Sequence, residues 1–167
     1  MSNTNFIEFS KPFVDAAKNV FETMVFTKLD PQKPELKRDD VSRGDISAVL
    51  GINGEIDKDG EKKDYRVMLV LSWPYETYFK IASAMLMETF TEYNNEIADV
   101  GGEIANMIMG NAKRHLNEMG YTNSMAIPSM IEGKGHTLKY PTGTVIIVIP
   151  VKSAHGPFYM ELCYRED

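Results

Sequence analysis

Residues 95–119 read NEIADVGGEIANMIMGNAKRHLNEM, and this stretch decides which fold we expect for the rest of the chain. At about 100° per residue, its pattern predicts one helix with a broad apolar side and a narrower polar side. An apolar side of this kind is typical of a helix that packs on a core. It consists of Ile97, Val100, Ile104, Ile108, Ala112 and Met119.

The polar side of this helix carries a short row of side chains that are suited to chemistry. Asp99 is followed four residues later by Glu103 and three residues after that by Asn106, so all three share one face. Gly110 lies one turn further on, beside Lys113. Since glycine costs a helix about 1 kcal/mol relative to alanine, Gly110 indicates one of two things. Either another surface approaches there, or the glycine is tolerated or in tight contact with a neighbouring loop.

Length and composition indicate one globular domain. The chain has 167 residues, of which 43% are hydrophobic and 25% charged, and this suits a substantial core. We expect a single domain over residues 1–167, with its core at about 5–165. The net charge is −6 and no basic face is visible, so nucleic acid is not an expected partner.

The compartment follows from cysteine usage and the apolar runs. Cys163 is the only cysteine, so no disulfide can form within the chain, which fits a reducing compartment. It lies in an alternating apolar run and is expected to be a buried structural thiol. The first residues lack the pattern of a signal peptide, and the apolar run 145–151 is too short to span a bilayer. We therefore expect a cytoplasmic protein without a membrane partner.

The chain before the central helix begins with a second amphipathic pattern. Ser10 and Pro12 suit the start of a helix, and apolar residues then recur at helical spacing to about residue 27. Residues 28–44 are polar, with two prolines and many charges. We interpret them as a surface connection.

A hairpin and another helix are predicted next. Residues 45–53 and 65–72 are rich in aliphatic and β-branched side chains, and the polar residues 54–64 between them are expected to form a long turn. Pro74 begins a helix that ends near residue 87, and Trp73 is expected to pack beneath it.

After the central helix, which Gly120 is expected to end, the pattern turns to strands. Residues 124–140 contain one or two short strands, 143–152 form a strong strand, and 158–164 return as the last one. Because hairpins dominate, the sequence predicts an α+β fold with a mostly antiparallel sheet and helices packed on one face.

Several kinds of site are disfavoured by the sequence. The three histidines are about 20 residues apart, without HExxH or CxxC, so a metal site is not expected. Residues 133–136, GKGH, lack the phosphate-binding pattern and do not lead into a helix, so they are interpreted as a turn. No obvious nucleophile and no cofactor motif is present.

The polar row matches the signature of a known protein family. Asp99-x3-Glu103-x2-Asn106, followed by Pro128, resembles the [DS]-x3-E-x2-N…P signature of the CheC/CheX/FliY chemotaxis phosphatases. Further stretches look like the CheX branch, and the similarity covers most of the chain. These stretches are NVFETM at 19–24, IPSMIEGKGH at 127–136 and IIVIPVKSAHGPFYMELCY at 146–164.

The resemblance implies an activity, a partner and roles for residues. Members of this family remove the phosphoryl group from phospho-CheY, a response regulator, through an active site shared by the two proteins. The receiver partner would supply the aspartyl phosphate and its bound Mg²⁺, and this chain would bind no cofactor or metal itself. By matching position, Asn106 would orient the attacking water and Glu103 would pair with a lysine of the receiver. Asp99, Gly110 and Pro128 would have supporting roles.

The chemistry of the residues agrees with these implied roles. A carboxamide offers one acceptor and two donors, so it can hold a water without being consumed. Phosphoryl transfer needs mainly positioning and charge stabilisation, which is consistent with a chain that lacks a nucleophile. The first helix has Lys18, Glu22 and Val25 at the corresponding spacing and lacks the asparagine, so one site per chain is expected. The resemblance also implies a homodimer paired through sheet edges.

Two alternatives stay open. The chain could be a CheX-like adaptor without activity that binds a response regulator or a flagellar switch component, although a pure binder would be free to lose Asn106. It could also be a dimeric small-molecule sensor with a pocket between helices and sheet. Nothing polar in the sequence converges on the core to support such a pocket.

Overall fold

The computed structural model describes residues 3–125 and 127–166. Within these residues the chain forms three helices and eight strands. The helices are α1 (Asn3–Met24), α2 (Tyr75–Leu86) and α3 (Val100–Glu118). The strands are β1 (Asp30–Pro31), β2 (Glu35–Leu36), β3 (Ile46–Lys58), β4 (Glu61–Trp73), β5 (Tyr121–Met125), β6 (Ser129–Glu132), β7 (Val145–Lys152) and β8 (Phe158–Glu166).

All eight strands belong to one sheet, in the order β1-β7-β8-β4-β3-β5. The short strands β2 and β6 lie at its two ends, where β2 pairs with β7 and β6 pairs with β3. Every pairing in the described residues is antiparallel. The prediction of an α+β fold with a mostly antiparallel sheet is confirmed.

The two faces of the sheet are covered differently. Strand β4 shows this, because its side chains alternate between the faces. Leu69 and Leu71 join the large core that also contains the buried sides of the three helices. Met68 and Val70 point to the opposite face, where a smaller cluster forms around Cys163. The thiol is buried, as predicted, and burial raises its pKa to about 11.

The predicted long turn at 54–64 is wrong. Strands β3 and β4 pair without interruption as far as Lys58 opposite Glu61. The turn is the pair Asp59-Gly60, with φ of +52° and +84°, and two residues with positive φ suit a right-handed twisted hairpin. The polar composition of this stretch reflects one solvent-facing side of a long hairpin. Ile56 lies on the other side of the hairpin and is buried, as expected where the strand continues through this stretch.

Helix α1 is longer at its start than predicted, and it ends earlier. It begins at Asn3 rather than at Ser10 and ends at Met24 rather than near residue 27. Ser10 is not a cap, because its hydroxyl donates a hydrogen bond to the carbonyl oxygen of Ile7 at 2.7 Å, within the helix. Pro12 lies inside the helix.

The connection 28–44 is attached to the sheet at several points. It contributes β1 and β2, which sequence analysis did not predict, and it contains a buried lysine. The ammonium of Lys37 lies 3.0 Å from the carboxylate of Glu161 on β8 and 2.6 Å from the hydroxyl of Tyr140. That hydroxyl also donates to the Glu161 carboxylate, so the three side chains form a closed polar group under the connection.

Candidate active site

Helix α3 begins five residues later than predicted. Residues 95–99 form turns, and Asp99 is the N-cap, with φ −98° and ψ 1°. Asp99 therefore stands at the end of the polar row, outside the regular helix. Its side chain is exposed and makes no capping hydrogen bond.

A tyrosine from α2 takes over the capping role. The hydroxyl of Tyr78 donates to the carbonyl oxygen of Ile97 at 2.7 Å and accepts the backbone N–H of Gly101 at 3.0 Å. The first N–H groups of a helix have no partner within it, so this bond satisfies one of them. Tyr78 is fully buried, and burial raises the pKa of its hydroxyl. The hydroxyl therefore stays protonated and holds the first turn of α3 in place.

Two glycines let other side chains approach this first turn closely. A Cβ placed on Gly101 would lie 2.7 Å from the ring of Trp73 and 2.9 Å from Met130. A Cβ placed on Gly102 would lie 3.3 Å from the ring of Pro128. Pro128, just before β6, thus packs against α3 and lies beside the polar row although it is far along the chain.

The two predicted catalytic side chains lie together on the outer face of α3. Glu103 is exposed and Asn106 is half-buried, one helical turn apart. Among the described residues, neither side chain has a hydrogen-bond or ion-pair partner, so a carboxylate and a carboxamide are presented to whatever binds this face. The structure therefore brings together Glu103, Asn106, Asp99 and Pro128.

Gly110 continues the face as a stretch of bare backbone. It is exposed, and an added Cβ would have no described atom within 4 Å. Tight contact with a neighbouring loop of this chain therefore does not explain the glycine. Approach by another surface and simple tolerance stay as the two explanations.

Helix α1 borders the other flank of the face. The side-chain amide of Asn19 donates to the side-chain oxygen of Asn111 at 2.6 Å, and Asn111 donates to the carbonyl oxygen of Met107 at 3.0 Å. The polar face of α3 therefore lies between α1 on one flank and Pro128 on the other.

A second tyrosine fixes β6 near this site. Tyr75, at the start of α2, donates its hydroxyl to the carboxylate of Glu132, and this bond raises the pKa of Tyr75 to about 12. Its backbone N–H donates to Asp45 at 2.9 Å. Sequence analysis missed Tyr75 and Tyr78 as residues that build the site. Their partners lie 57 and 23 residues away, so no local spacing indicates the pairs.

Other chemistry finds little support in the described part of the chain. It contains no group of three side chains that could hold a metal ion. A serine and a histidine do meet, with the hydroxyl of Ser47 2.8 Å from His136 Nε2, but Ser47 is fully buried and cannot reach a substrate. No helix in the described residues is long and apolar enough to cross a membrane.

The sensor alternative needs a pocket between the helices and the sheet. A groove of about 800 Å³ is present, but it lies along α2 and residues 87–91, open to solvent. Phe79, Lys80 and Met87 are among the side chains that line it. None of the residues that line this groove belongs to α3, so it is separate from the polar face of that helix.

Known proteins resemble this chain over most of its length. The model of the family described as chemotaxis phosphatase CheX matches residues 60–152. A chemotaxis protein CheX from Desulfovibrio desulfuricans is 36% identical, with a TM-score of 0.81, over 95% of this chain and 99% of that chain. A chemotaxis protein CheX from Vibrio vulnificus is 35% identical, with a TM-score of 0.80, over the same shares of the two chains.

A more distant structure has the same fold. It is a CheX–CheY–BeF₃–Mg²⁺ complex from Borrelia burgdorferi, whose matched chain is 22% identical, with a TM-score of 0.73, over 92% of this chain and 94% of that chain. A search of curated protein sequences gives no significant match. The residues that the family model matches include all of α3 and also Pro128. The chain belongs to the CheX family of chemotaxis phosphatases.

Proposed function

We propose that this chain hydrolyses the aspartyl phosphate of a CheY-type receiver domain. The observation that carries the proposal is the outer face of α3, where Glu103 and Asn106 lie one turn apart without a partner among the described residues. Family membership supports the same reaction, and the Borrelia burgdorferi protein is one that was solved together with CheY and Mg²⁺.

In the proposed reaction, Asn106 enters the active site of the receiver and orients a water for attack on phosphorus. The carboxamide accepts a hydrogen bond from the water or donates one to the phosphoryl group. As the water oxygen bonds to phosphorus, the bond from phosphorus to the aspartyl oxygen breaks. Inorganic phosphate leaves as the dihydrogen ion with both protons of the water, and the receiver regains its carboxylate.

Glu103 and the receiver supply the charges. The Glu103 carboxylate pairs with a lysine of the receiver, which fixes the direction from which α3 enters. The receiver also holds Mg²⁺, which neutralises charge on the phosphoryl oxygens. This chain therefore contributes positioning, and it needs no metal or nucleophile of its own. Asp99, Gly110 and Pro128 shape the surface around the two side chains.

The test is the decay of a ³²P-labelled CheY-type receiver from the same organism, with and without the chain. Affinity for the receiver activated with BeF₃⁻ and Mg²⁺ is measured in parallel. The proposal predicts decay that accelerates with the concentration of the chain at a fixed receiver concentration. Binding without acceleration would contradict it and would assign the chain to the adaptor class.

A further inference from the structure

Ile127 stands beside the site and is almost fully exposed. Its side chain is 90% accessible, the highest value among the large hydrophobic side chains in the described residues. The next residue, Pro128, packs against Gly102 in the first turn of α3. An apolar side chain is thus exposed to solvent next to a proline that packs on the helix.

The backbone explains why Ile127 points outwards. A residue that precedes proline is restricted to extended conformations, and successive side chains of an extended chain point to opposite sides. Pro128 and Met130 both face α3, where they meet Gly102 and Gly101. Ile127 and Ser129 are the exposed side chains of the same stretch.

The position of Ile127 places it inside the area that a receiver would cover. A standard interface buries about 800 Å² on each partner, a patch of roughly 16 Å radius. Gly102, against which Pro128 packs, is four residues from Asn106, about 6 Å along the helix axis. A receiver centred on Asn106 therefore reaches the loop. On the same grounds it covers Gly110, which lies four residues beyond Asn106 on the other side.

We propose that Ile127 is an apolar anchor for the phosphorylated receiver domain, which it meets beside the phosphorylation site. This inference rests on the proposed function. It assigns the reaction to Glu103 and Asn106, and it assigns part of the affinity for the receiver to Ile127. The charge of the chain supports an apolar contact. A net charge of −6 does not steer the chain towards an acidic receiver surface, so affinity has to come from short-range contacts.

The experiment compares Ile127→Gln with Met87→Gln. Met87 is 80% exposed and lines the groove along α2, so the control removes an apolar side chain of similar accessibility at a different place. Both side chains project into solvent, and both variants are expected to fold with unchanged thermal unfolding. Steady-state dephosphorylation gives KM and kcat, and titration with the BeF₃⁻-activated receiver gives Kd.

Ile127→Gln is expected to raise KM and Kd roughly tenfold with kcat unchanged. Met87→Gln is expected to match the wild type, and Ile127→Met, which keeps an apolar side chain, to restore most of the affinity. Unchanged Kd in Ile127→Gln, or an equal loss in both glutamine variants, would overturn the anchor role while wild-type activity still upheld the proposed function. If the wild type binds the receiver without accelerating decay, Kd still decides the anchor role. A wild type that neither binds nor accelerates would overturn both proposals.

Discussion

Glu103 and Asn106 offer a bound receiver two different things, a negative charge and a neutral amide. Neither is engaged within the described part of the chain, so no internal bond has to break before a partner binds. Asn106 is also half-buried, and neighbouring atoms restrict the rotamers open to such a side chain, which suits a group that has to hold one water in line with phosphorus.

Replacement of Glu103 by glutamine tests the charge alone. The volume and the hydrogen-bonding atoms are nearly kept, but the ionic pair with the receiver lysine is lost, so kcat/KM should fall roughly tenfold. The matched control is Glu22→Gln, at the corresponding place on α1, where the side chain is also exposed. The measurement is the decay rate of the labelled receiver. Equal kcat/KM for the two variants would remove Glu103 from the proposed pairing.

Helix α3 presents these side chains correctly only if its first turn is fixed. Tyr78→Phe removes the hydroxyl that bonds Ile97 and Gly101, and it leaves a buried N–H and a buried carbonyl without that partner. Unfolding in urea should show a loss of about 1–3 kcal/mol, and kcat should fall because the first turn of α3 loosens. Tyr159→Phe is the control, since no hydrogen bond of its hydroxyl is found in the described residues. A wild-type kcat in Tyr78→Phe would contradict the claim that this hydroxyl supports the site by fixing the first turn of α3.

The buried group around Lys37 holds the connection 28–44 on the far face of the sheet. Lys37→Met leaves the Glu161 carboxylate buried without its counter-charge, which should cost about 3–5 kcal/mol of unfolding free energy. The double variant Lys37→Met with Glu161→Met removes both charges and should be more stable than the single variant. Urea denaturation measures both. A double variant less stable than the single one would show that the pair is not the source of the loss.

Some features of these elements can be predicted from the sequence, and others cannot. The face shared by Glu103 and Asn106 follows from helical spacing alone, so the sequence is sufficient to predict it. The same spacing cannot place the start of α3, because that depends on Tyr78, a residue of another helix. Nor can it reveal Lys37 with Glu161, which lie 124 residues apart. The tight turn within residues 54–64 could have been predicted from the sequence, because Asp59-Gly60 is a dipeptide typical of two-residue hairpin turns.

The whole sheet ends in an open edge at β5, because no described strand pairs with its outer side. An edge strand offers unpaired backbone groups that a second copy can bind, which agrees with the homodimer that the family resemblance implies. Size-exclusion chromatography with light scattering should give twice the chain mass of 18.9 kDa. A mass of 18.9 kDa at micromolar concentration would contradict the dimer.

The proposed role of Asn106 is tested by the rate of receiver dephosphorylation at saturating concentrations of Asn106→Ala and of Asn117→Ala. Asn117 is an exposed carboxamide further along α3, so its variant controls for the loss of an amide from the same helix. We predict a fall of roughly a hundredfold or more for Asn106→Ala, with receiver affinity retained, and a wild-type rate for Asn117→Ala. A wild-type rate in Asn106→Ala would contradict the claim that this side chain positions the attacking water.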